Sequence, residues 1–161
     1  MRLIDTHCHL DFNSYDGLRD EIVREAAGAG VTRILNPGTD LDRSRAAVEL
    51  AARYPGVYAA VAIHPNSTAA WSDGWIEALR ALAAQPKVVA IGEIGLDYYW
   101  DESPKATQWR AFEAQLALAS ELELPVIIHN RDASDDVLDI LARWVPTLPP
   151  ALRDRPGVLH S

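Results

Sequence analysis

Six short runs rich in Val, Ile, Leu and Ala recur along the chain, at Leu3–Ile4, Val31–Leu35, Val57–Ile63, Val88–Ile91, Val126–Ile128 and Val158–Leu159. Unbroken apolar runs of this kind suit strands covered on both faces, because a strand with one wet face would alternate apolar and polar residues. Amphipathic stretches separate them. Leu18, Ile22, Val23 and Ala26 form one helical stripe and Ala47, Val48 and Ala51 another, closed by the breakers Gly28–Gly30 and Pro55–Gly56. Further helices are expected over Trp71 to Ala84, over Pro104 to Leu122 with Trp109, Phe112, Leu116 and Ala119 on one side, and over Ser134 to Trp144. The repeat is about one strand-plus-helix unit. With right-handed crossovers this α/β order leaves an open doubly wound sheet or a (β/α) TIM barrel, and periodicity does not choose between them.

A chain of 161 residues, 48% hydrophobic, can bury one substantial core, so residues 1–161 are read as a single domain. The last apolar run is followed at once by His160–Ser161, with no helix to cover it. An eight-stranded barrel needs about 250 residues. The expectation is therefore an incomplete barrel with about six of eight strands, C-terminally truncated by about 90–100 residues relative to the closed form.

Charge narrows the function classes. Lys and Arg total 15 against 23 for Asp and Glu, a formal charge of -8, so no broad basic face exists to wrap nucleic acid. Glycine-rich phosphate loops and zinc-finger cysteine spacings are also missing, which argues against a sequence-specific nucleic-acid binder. The single cysteine, Cys8, cannot form an intramolecular disulfide and reads as a small buried core residue in a cytoplasmic protein. No apolar run approaches the roughly 20 residues of a membrane span, and the N-terminus lacks the apolar segment of a signal peptide, so no membrane partner is expected.

All five histidines, His7, His9, His64, His129 and His160, fall at or just past the C-terminal end of an expected strand. In parallel α/β folds that end carries the active site, since the loops there converge. His7 and His9, two residues apart in extended chain, point to the same side, where two imidazoles can hold one ion, while Cys8 points away. Glu93 ends the run Val88–Gly92, where a carboxylate would lose solvation unless a cation or donor compensated it, which favours a metal-bridging role. Asp5 reads either as an acceptor orienting an imidazole or as the cap of a turn. Asp97, beside Tyr98, reads as organising its own loop through backbone N–H groups. Trp71 and Trp75 read as helix packing residues. Trp100, in the loop after Glu93, stands where an indole could stack on a base.

Ile4-Asp5-Thr6-His7-Cys8-His9-Leu10-Asp11 resembles the opening of TatD-related hydrolases, within the metal-dependent amidohydrolase-like barrels. The likeness continues through Ile63-His64-Pro65, Gly92-Glu93-Ile94-Gly95-Leu96-Asp97-Tyr98-Tyr99, Pro125-Val126-Ile127-Ile128-His129-Asn130-Arg131-Asp132-Ala133 and His160-Ser161. The resemblance implies that His7 and His9 hold one ion, that Glu93 bridges to a second, and that His129 and His160 complete the shell of that second ion. It also implies that His64 contacts substrate and that Arg131 orients the His129 loop on the substrate side. Ala62 and Asn130 depart from the family's glycine and small hydroxyl residue, and the family's final metal carboxylate, an Asp after the seventh strand, has no counterpart in this sequence.

The expected function is that of a TatD-like deoxyribonuclease. Two divalent ions, with Mg, Zn or Mn all compatible with the donors, activate water and neutralise charge while DNA ends are trimmed exonucleolytically. Glu93 and His64 are the expected catalytic groups. Two alternatives stand beside it: hydrolysis of an ester or amide bond, such as aminoacyl-tRNA deacylation, and a non-enzymatic metal-binding fragment.

Overall fold

Every apolar run forms a strand, and all pair in parallel. The computed structural model describes residues 1–160; Ser161, the last residue of the final motif, lies outside the described residues. The strands are β1 (Leu3–Asp5), β2 (Val31–Pro37), β3 (Val57–Val61), β4 (Val88–Asp97), β5 (Val126–Arg131) and β6 (Gly157–His160). The helices between them are α1 (Arg19–Gly28), α2 (Leu41–Arg53), α3 (Gly74–Ala83), α4 (Lys105–Leu122) and α5 (Ser134–Trp144). α3 starts later than its apolar pattern: Trp71 lies in the turn before it, because Ser72–Asp73–Gly74 interrupts the periodicity. Trp71 still packs edge-on against Trp75, with ring centroids 5.9 Å apart.

Spatial strand order is β1-β2-β3-β4-β5-β6, without the reversal that defines a doubly wound sheet. A flat sheet of this width would hold its outer strands about 24 Å apart, at about 4.8 Å per neighbour. Yet the rings of His7, just after β1, and His160, at the end of β6, stack with centroids 4.0 Å apart. The sheet therefore curls until side chains from its first and last strands meet at the C-terminal end, as in a partial barrel.

The main core lies between the outer face of the sheet and the helices. Val61, Ile91, Ile94 and Ile128 meet Leu79, Phe112, Leu116 and Ile140 there, all buried. A second cluster, Leu10, Ile34, Tyr54 and Val57, seals α1 and α2 to β2. Cys8 packs at its margin and is half-buried rather than fully enclosed. The inner face holds only a small cluster of Ala60, Ala90 and Ile127, and Ile4, Val158 and Leu159 on the outer strands remain exposed. Among the described residues no helix is long and apolar enough to cross a membrane.

Candidate metal centre

Parallel register sets Gly95, His129 and His160 side by side on β4, β5 and β6. Gly95 is required there: its φ of +136° lies where L side chains are strained, and a Cβ would sit 2.0 Å from the His129 carbonyl oxygen. The loop after β2 holds the neighbouring strand ends, with Gly38 O accepting from Glu93 N (2.9 Å) and Thr39 O from His64 N (2.8 Å).

Glu93, 3% exposed, is the centre of the cluster. Its Oε2 lies 3.4 Å from His7 Nε2 and 3.8 Å from His9 Nε2, and those two nitrogens are 3.2 Å apart. Ligands about 2.1 Å from a tetrahedral ion stand about 3.4 Å from one another, so this triad has the separations of a cation's coordination shell. The other oxygen, Oε1, lies 3.0 Å from His129 Nδ1 and 3.6 Å from His160 Nε2. His64, Glu93 and His129 form a second group whose donor atoms all fall within 4.8 Å of each other, as do those of His7, His9 and Glu93.

The donor chemistry fits a cation. His129 Nε2 lies 2.9 Å from Asp97 Oδ2, and a carboxylate can only accept, so the proton belongs on Nε2. That leaves the Nδ1 lone pair facing Glu93 Oε1, two acceptors at 3.0 Å, an arrangement that needs a second proton or a metal ion between them. Burial would raise the Glu93 carboxyl, but His129 and His7 hold it well below the ordinary carboxylate range. Burial would lower His129, but Glu93 and Asp97 raise it. Burial lowers His9 and His160, with His7 adding to both, so these rings are neutral donors. His64 is pushed down to about 4 by burial, aided by His129. Its Nδ1 accepts from Asn66 N (3.2 Å), so the neutral ring carries its proton on Nε2 and acts as a hydrogen-bond donor.

Asp5 caps the turn by accepting from His7 N at 3.1 Å. Asp97 is the last residue of β4 rather than part of a loop, because the strand runs on past Glu93, but it does organise the following turn, with Oδ1 accepting from Tyr99 N and Trp100 N (both 3.0 Å), and its other oxygen also fixes the His129 tautomer. Arg131 places its guanidinium 4.0 Å from the centroid of the Tyr99 ring and 5.6 Å from that of Trp100.

Several supporting residues escape a reading of the sequence. Asp11, buried behind His9, exchanges hydrogen bonds with Asn36: its N–H donates to Asn36 Oδ1 (3.1 Å), and Asn36 Nδ2 donates to its Oδ1 (2.9 Å). Arg19 and Arg43 tie the same loop down through the Leu10, Asp11 and Phe12 carbonyls. Gln108 and Gln115, two turns apart on α4, each clamp a strand end. Gln115 pairs with both backbone groups of Ile63, beside His64, and Gln108 with both of Asp97. The one available signal was a pair of amides seven residues apart on a helix face otherwise made of Phe112, Leu116 and Ala119.

A family model described as TatD related DNase matches residues 4–161. An uncharacterized metal-dependent hydrolase of Bacillus subtilis, YabD, is 44% identical over 139 residues, covering 86% of this chain and 54% of the relative. The 3'-5' ssDNA/RNA exonuclease TatD of Salmonella typhimurium is 40% identical over 150 residues, covering 93% and 58%. The crystal structure of YJJV, a TatD homolog from Escherichia coli K12, superposes with a TM-score of 0.84 at 37% identity, covering 91% of this chain and 58% of that one. The chain spans a little over half the length of the curated relatives it matches.

Proposed function

Since the chain belongs to the TatD-related DNase family, we propose that it carries the metal centre of a hydrolase that trims single-stranded DNA or RNA from the 3′ end. Its fold is that of a TatD-type (β/α) barrel, with six parallel strands in the chain. The observation that carries the proposal is the enclosure of the buried Glu93 carboxylate by His7, His9, His129 and His160, each within 4 Å of it.

In this reading His7, His9 and Glu93 hold one divalent cation, and Glu93, His129 and His160 hold a second. Bound there, such ions supply an activated water at neutral pH and neutralise charge on the attacking and leaving oxygens of a phosphodiester. Imidazole-rich donors suit zinc or manganese, while the carboxylate bridge also suits magnesium. Asp97 orients His129, and His64, which burial keeps neutral, donates a hydrogen bond through its Nε2–H to a phosphate oxygen. Cations at the centre also answer the charge problem, because a chain of -8 otherwise repels a polyanion. The half-buried Cys8, whose thiol burial raises, fits a reducing, cytoplasmic setting.

The test is a nuclease assay of the full-length protein on single-stranded oligonucleotides, with chelation and metal add-back. Cleavage is expected to stop on chelation and return with Mg²⁺ or Mn²⁺. Undiminished cleavage after thorough metal removal, or hydrolysis of aminoacyl esters in preference to oligonucleotides, would overturn the proposal.

A further inference from the structure

The loop after β4, which starts at the strand end carrying Asp97, presents two aromatic rings to solvent: Tyr99 is 54% and Trp100 47% exposed. The loop itself is fixed. Asp97 Oδ1 accepts from the backbone N–H of both residues at 3.0 Å, and the rings meet edge to face with centroids 4.8 Å apart. Arg131, projecting from the end of β5, lays its guanidinium over Tyr99 and close to Trp100. The same Asp97 carboxylate bonds His129 Nε2, and His129 Nδ1 lies 3.0 Å from Glu93, so Asp97 joins the base of the aromatic loop to a ring of the metal centre. Tyr98 takes no part, because its hydroxyl is tied to Asp136 at 2.5 Å.

An exposed indole on a hydrogen-bonded loop, flanked by a cation and a second ring, is suited to a flat aromatic ligand attached to an anion. An unpaired nucleobase next to a phosphodiester has that chemistry, and a base in the interior of a duplex, stacked on both faces, does not. Asp101 and Glu102 are also exposed beside the rings, so attraction at this loop comes from stacking rather than from net positive charge. We propose that Trp100, braced by Tyr99 and Arg131, is the seat for an unpaired nucleobase adjoining the scissile phosphate. This names the side chains that would recognise the base beside the cleaved linkage, and it rests on the phosphodiester reading above.

The test compares two fluorescein-labelled oligomers of equal length with hydrolysis-resistant phosphorothioate 3′ linkages, one an oligothymidylate and the other lacking its 3′-terminal bases. Each is titrated against the full-length protein in Mg²⁺. Unmodified protein is expected to prefer the base-bearing oligomer about tenfold, Trp100→Ala to abolish that preference, and Trp100→Phe to restore most of it. A preference that survives Trp100→Ala, or none in the unmodified protein, overturns the seat while leaving the metal centre standing. Failure of the unmodified protein to bind either oligomer overturns both the seat and the phosphodiester reading.

Discussion

Gln108→Leu removes a buried amide that holds the Asp97 strand end in place, at nearly constant side-chain volume. Gln108 Oε1 accepts from Asp97 N (2.9 Å), and its Nε2 donates to Asp97 O (3.0 Å) and Ser103 O (2.9 Å). Asp97 is 1% and Ser103 4% exposed, so these backbone groups have little access to water. Each of these three buried groups left without its partner costs about 1–3 kcal/mol, and the leucine recovers part of the total through apolar contact, so the net loss is about 3 kcal/mol. For a domain of this size that corresponds to a fall in melting temperature of about 6–12 °C. Because Asp97 also fixes His129, metal affinity is expected to fall about 10- to 100-fold with it. Circular dichroism melting in chelator reads the first effect and calorimetric titration with Mn²⁺ the second. Gln108→Glu keeps the acceptor but cannot donate and adds a charge beside Asp97, so it falls at least as far. A Gln108→Leu protein melting within about 2 °C of the unmodified one would refute the claim that this amide holds the strand end.

Three further outcomes follow from the same contacts. Asp97→Asn is expected to weaken Mn²⁺ binding about 10- to 100-fold, because an amide no longer enforces the His129 tautomer; unchanged affinity in the same titration would remove Asp97 from the centre. His129→Ala is expected to lower oligonucleotide cleavage by orders of magnitude in a steady-state assay, since it removes the donor nearest Glu93 Oε1. Burial and then Asp136 push Tyr98 up to about 12, above its value of about 10 in the unfolded chain, so its contribution is intact below pH 10 and lost as pH rises toward 12. Tyr98→Phe is therefore expected to flatten the fall in stability over that alkaline window and to delete the last-titrating step in ultraviolet tyrosinate absorbance.

The strands were legible because a parallel sheet needs uninterrupted apolar runs, and Val88–Ile91 or Val126–Ile128 carry that demand on their face. The curl was not, since whether consecutive strands close or reverse depends on how each helix packs back on the sheet, which no local pattern records. The histidines stood out because a polar ring at the end of an apolar strand contradicts its surroundings. Gln108, Gln115, Asn36 and Asp11 did not: polar residues in helices and loops are ordinary, and Gln115 declares its role only through Ile63, 52 positions away. Asp97 was visible as an organiser of the turn that follows it, but its second oxygen meets His129 32 positions on, on the neighbouring strand. Trp71 fitted the helical period by spacing alone, while Ser72–Asp73–Gly74 set the true helix start.

The central claim is that Glu93 and its surrounding imidazoles hold divalent cations, and anomalous diffraction from crystals of the full-length protein soaked in Mn²⁺ tests it most directly. The account predicts a peak bounded by His7 Nε2, His9 Nε2 and Glu93 Oε2, at about 2.0–2.3 Å from each, with a second beside His129 and His160. Peaks located elsewhere, or none at these side chains in crystals of protein that still cleaves oligonucleotides, would contradict it.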